Sequence, residues 1–140
     1  MPELRKDPLI GRGVIIPPRA PFVDERGEIQ NLIDAAFTSV AVVTSRKGAI
    51  RGNHYHKTDE HYCWLQHGGL IYFHRPSGDR RPARRWLITP GQLFYTPTRY
   101  EHAMQFTEES VMLVFARNNR EMARYEADTV RLAPDRLITK

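Results

Sequence analysis

Apolar and polar residues along this chain fall into short runs that alternate with a period of about two, the repeat of a half-buried strand. The runs lie at 13–16, 28–33, 39–45, 60–66, 70–74, 84–89, 92–96, 102–106 and 111–117. Turn formers separate them. Gly68 and Gly69 predict a tight hairpin, residues 76–79 a longer loop, and Pro90-Gly91 a type II turn with the glycine supplying positive φ. Helical character emerges only near the C-terminus, where Asn118 or Asn119 can cap a short helix over 119–125 rich in good formers. Many short strands with almost no helix predict an all-β sandwich or barrel.

Length adds that one domain suffices. The 140 residues divide into an extended arm (1–21), a barrel core (22–117) and a C-terminal helix and tail (118–140). Such arms often pair with a neighbouring subunit, so a homodimer is expected. No apolar run reaches the roughly 18 residues of a membrane span. Arg5 and Lys6 are followed by no apolar stretch, so the start does not read as a secretory leader and a cytoplasmic location is expected.

Charge and cysteine content narrow the chemistry. Cys63 is the only cysteine, which excludes an internal disulfide or a thiolate zinc site; with apolar neighbours it reads as a core thiol. Lys and Arg number 21 against 16 for Asp and Glu, a formal +5. That excess favours an anionic partner. No basic helical stripe or nucleic-acid module accompanies it, so a small anionic molecule fits better than nucleic acid.

Candidate chemistry concentrates in the histidines. His54 and His56 are one residue apart and share a strand face, while Tyr55 points away. If 57–59 turns, Glu60 comes back toward both imidazoles, and His102 follows a second turn far downstream. These four ligands suit a divalent metal ion (Zn, Ni, Fe or Mn) with positions left open. By alternation from Glu60, Tyr62 and Trp64 line the interior, His61 faces out, and His67 and His74 are solvated.

The spacing of Gly48, His54, His56 and Glu60, followed by Gly91, Pro97 and His102, resembles the two motifs of the cupin superfamily. Arg99 stands where the second motif has a glycine, and Phe106 where it has an asparagine. The resemblance implies a double-stranded β-helix, a jelly-roll barrel, with metal held inside by His54, His56, Glu60 and His102. Two further segments are similar to nucleotide-sugar epimerases and ketoisomerases: Phe22, Asp24, Arg26 and Gly27, then Arg51, Gly52, His54 and His56. The Gly52–His56 stretch also resembles the cupin domain of capsular-polysaccharide reductase/epimerase proteins.

These similarities imply an isomerase or epimerase acting on a nucleotide-linked keto-deoxy sugar, with His54 in the position of the base. Metal binding would occupy the lone pair that His54 needs for that task, and Tyr100 or Glu101 then become the candidates. Arg51, Arg99 and Arg26 are the candidate phosphate ligands, with Tyr62 and Trp64 nearby. The competing readings are an iron-dependent dioxygenase and a non-catalytic small-ligand or metal-binding module.

Overall fold

The computed structural model describes residues 14–134 and 136–138. Along the chain come β1 (Ile15–Ile16), β2 (Phe22–Asp24), β3 (Gly27–Ile29), β4 (Ser39–Ser45), β5 (Ile50–His56), β6 (His61–His67), β7 (Leu70–Pro76), β8 (Arg84–Ile88), β9 (Leu93–Thr96), β10 (Tyr100–Phe106), β11 (Ser110–Ala116), α1 (Met122–Asp128) and β12 (Thr129–Arg131). Two five-stranded antiparallel sheets form, β1-β9-β6-β11-β4 and β12-β5-β10-β7-β8, while β2 and β3 make a separate hairpin. From β4 onward the chain crosses between the two sheets at nearly every connection. This is the jelly-roll that the strand pattern and the motif resemblance imply.

Alternation along the strands makes three apolar layers. Cys63, Leu65, Leu70, Tyr72, Ile88, Phe94, Phe106, Met112 and Val114, drawn from both sheets, fill the space between them. On the outside of the first sheet, Tyr62, Leu93, Trp64, Tyr95 and Phe115 are covered by Ile33 and Phe37. On the outside of the second, Phe73 and Ala103 pack under Leu137 and Leu132 of the C-terminal segment. Each large apolar side chain so buried contributes about 1.5–3 kcal/mol.

Several expectations shift. Gly68 and Gly69 do not close a hairpin, because β6 and β7 belong to different sheets and do not pair. They turn a corner between the sheets, and a Cβ on Gly68 would lie 2.4 Å from the Glu109 carbonyl oxygen. Gly91 has φ +88 and the Gln92 N–H bonds the Thr89 carbonyl, as the type II turn requires. The run at 28–33 shortens to β3, and Gly13 lies outside the described residues. The helix begins three residues later than expected, at Met122, because Asn119 uses its side chain to accept the Glu121 N–H and closes a turn before the helix. β12 has no signal in the alternation. It is three residues long and half-buried, and it pairs with β5.

Candidate active site in the barrel interior

The register of the second sheet brings the downstream histidine to the upstream pair. His102 on β10 is the cross-strand partner of His54 on β5. This register depends on a bulge: Gly52 (φ +81) and Asn53 (φ +60) take consecutive left-handed conformations, and the pairing slips between His102 and Ala103. Asn53 tolerates that conformation because its side-chain amide donates to the Leu132 and Ala133 carbonyls. Without the slip, the alternation would carry His54 and His56 to the opposite face of the sheet.

The imidazoles meet in a buried cluster. His54 lies 4.7 Å, ring to ring, from both His56 and His102, and one ring nitrogen from each of the three comes within 4.8 Å of the others. Burial, then neighbouring histidines, hold His54 at a pKa of about 3 and His102 well below the usual range. Burial and His61 bring His56 to about 4. All three are neutral at physiological pH.

Their hydrogen bonds fix where the lone pairs sit. The Tyr100 carbonyl can only accept, so His102 Nδ1, at 3.0 Å, carries the proton and Nε2 the lone pair. Thr129 donates its hydroxyl hydrogen to the Tyr125 carbonyl, so His56 Nδ1–H donates to Thr129 Oγ1, and the buried His56 Nε2 is left without a partner. Two unspent lone pairs therefore lie among three neutral, buried imidazoles.

Glu60 is not among these side chains. Its carboxylate accepts the Tyr95 hydroxyl at 2.8 Å on the outer side of the first sheet, where Tyr62 stacks on Tyr95. The parity of β6 is thus the reverse of the expected one, and Tyr62 and Trp64 also belong to the outer layer. His61, expected to face out, takes the inward place, with its ring 4.7 Å from His56. The physical reason is that β6 is buried on both faces, so its polarity pattern carries no direction. Asp59 then sets the direction: its carboxylate accepts the Glu60 and Asn118 backbone N–H groups through Oδ1 and meets His61 Nε2 at 2.8 Å through Oδ2. Burial, the largest single cause, raises the Asp59 pKa, but the hydrogen bond and charge of His61, the Asn118 backbone N–H and His56 together outweigh it and the net shift is downward. An ionised Asp59 accepts from His61 Nε2–H and leaves Nδ1 as the lone-pair nitrogen. The sequence signal for this pair is the Asp59-x-His61 spacing beside the His-x-His motif.

The other candidates divide. Tyr100 is inside, its ring 4.8 Å from His74, and His74 itself is buried rather than solvated, held at a pKa of about 4 by burial and by Arg84. His67 is exposed as expected. Glu101 points to the opposite face of β10, where Arg75 and Arg136 clamp its carboxylate at 2.7 and 3.3 Å. Arg51 donates to Ser45 Oγ and the Thr44 carbonyl. Arg26 pairs with Asp24 in the exposed β2–β3 hairpin. Arg99 adopts φ +62, the left-handed conformation for which the motif supplies glycine, and its N–H bonds the His56 carbonyl. It is exposed beside the cluster.

No family model matches the chain, and no curated protein matches its sequence. Solved structures do. A 3,4-ketoisomerase, QdtA from Thermoanaerobacterium thermosaccharolyticum in complex with TDP, superposes with TM-score 0.65 over 86% of this chain and 88% of that one, at 20% identity. The chain has the cupin fold. A dTDP-4-dehydrorhamnose 3,5-epimerase from Sulfolobus tokodaii gives TM-score 0.70 at 17% identity, covering 99% of this chain and 86% of the other. The capsular polysaccharide assembling protein CapF from Staphylococcus aureus gives 0.62 at 20% identity, over 81% of this chain and 32% of CapF. No helix among the described residues is long and apolar enough to cross a membrane.

Proposed function

We propose that this cupin is an isomerase or epimerase acting on a nucleotide-linked keto-deoxy sugar. The observation that carries the reading is the buried Asp59–His61 pair beside His54, His56 and His102. Protons α to a sugar ketone are acidic, so the reaction needs a base fixed near that carbon and a group that stabilises negative charge on the carbonyl oxygen. His61, oriented by Asp59, is the base, and its Nδ1 takes the α-proton to leave an enolate. The enolate isomerises when a proton is delivered to the adjacent carbon as the neighbouring hydroxyl proton passes to the former carbonyl oxygen, and epimerises when a proton reaches the same carbon from its opposite face. The conflict over His54 then disappears, because proton transfer no longer requires it. The likeness to the ketoisomerase and epimerase folds supports the same reading.

The neutral donors of His54, His56 and His102 fit a divalent metal ion, and the unpartnered His56 Nε2 is the observation that favours it. Such an ion supplies Lewis-acid polarisation of a carbonyl oxygen when bound. Zinc or nickel titrated into the metal-free protein binds one ion per chain. The His102→Ala variant loses that binding, and full stoichiometry in the variant removes this ligand set. The dioxygenase reading is weaker, since the carboxylate that completes a common iron(II) site is turned away with Glu60.

The reading is tested by incubating the protein in D₂O with a dTDP-4-keto-6-deoxyhexose. Deuterium enters at C3 or C5 of the sugar. A panel of dTDP- and UDP-linked keto sugars that takes up none removes it.

A further inference from the structure

The inner face of the second sheet carries one side chain from each of four adjacent strands in a single row. His54 on β5 pairs with His102 on β10, His102 with His74 on β7, and His74 with Arg84 on β8. Strands lie ~4.8 Å apart, so Arg84 stands roughly 10 Å across the sheet from His102. The Arg84 guanidinium lies over the Trp86 indole, 5.0 Å from the ring centroid, and Trp86 meets His74 edge-on at 4.8 Å.

Within the arginine cluster of this region the roles differ. Arg75 is neutralised by Glu101 and Arg81 by Asp79. Arg84 makes no ion pair among the described residues; it has the indole instead. A guanidinium held flat on an aromatic face keeps the N–H groups along its edge free, and that fork matches a phosphate bidentately. Of the three arginines first expected to take this part, Arg51 and Arg26 are engaged elsewhere and Arg99 is exposed at the turn before β10.

We propose that Arg84, backed by Trp86, binds the diphosphate of a nucleotide-linked substrate. This assignment rests on the keto-sugar reading above, and it orients the substrate. The sugar lies over His102 and His54, the diphosphate over β8, and the nucleoside beyond the rim.

Isothermal titration with dTDP tests the assignment independently of turnover. The wild-type chain binds dTDP, and Arg84→Gln weakens it by about 10- to 100-fold. Arg84→Lys recovers part of the loss, because it restores the charge without the fork. Arg85→Gln, on the opposite face of the same strand against Phe73, leaves dTDP affinity unchanged. Arg84 is exposed, so its variants keep the wild-type melting temperature. Wild-type affinity in Arg84→Gln, or no dTDP binding by the wild type, overturns the assignment. The two ideas fail separately. Deuterium exchange with an unaffected Arg84→Gln defeats the assignment alone, and Arg84-dependent dTDP binding without exchange on any keto sugar defeats the enzymatic reading alone.

Discussion

A side chain's role here follows from which face of a strand it takes. His54, His56, His74 and His102 are each less than a tenth exposed, and burial is the first cause of every downward pKa shift among them. The sign of the resulting pH dependence is fixed. Below about pH 6.5 these histidines protonate in the unfolded chain but stay neutral in the folded one, so acid favours unfolding. Urea denaturation of the metal-free protein should show stability falling from pH 6.5 toward pH 4, by up to about 1.4 kcal/mol per pH unit for each histidine. A flat profile over that window would mean that the cluster is charged when folded. That His102 joins His54 and His56 was legible through the resemblance of the two segments to the cupin motifs, not through spacing alone. The exchange of Glu60 for His61 was not, because two adjacent polar residues at the start of a doubly buried strand offer no polarity contrast.

At the scale of elements, the bulge in β5 ties the site to the fold. A Cβ on Gly52 would lie 2.9 Å from the His102 carbonyl oxygen and 3.3 Å from Ala103 Cα, both backbone atoms of the neighbouring strand, in a conformation with φ +81. Gly52→Ala should therefore cost about 2–3 kcal/mol in equilibrium unfolding. It should also weaken any property that depends on His54 meeting His102. A variant as stable as the wild type would show that β5 reaches its register some other way. Runs 39–45 and 111–117 were legible because β4 and β11 alternate cleanly between core and outside. The sheet partners of β6 and β7 were not, since Gly68-Gly69 serves a corner between sheets as readily as a hairpin. β12 escaped for a different reason: it is a short strand with no buried residue, placed by pairing with β5.

For the whole molecule, the jelly-roll was implied by strand number, turn spacing and the two histidine motifs, and the solved cupin folds agree with it. The barrel holds an apolar core between its sheets and gathers five buried imidazoles next to it, with an arginine two strands from His102. In the proposed reaction Asp59 and His61 form the proton-transferring pair. Its most direct measurement is the rate of deuterium uptake from D₂O into a dTDP-linked 4-keto-6-deoxyhexose, followed by NMR, for the wild type and His61→Asn. The wild type should take up deuterium at C3 or C5, and the variant should lose about 100- to 10,000-fold of that rate at unchanged dTDP affinity. Uptake by His61→Asn at the wild-type rate would contradict it.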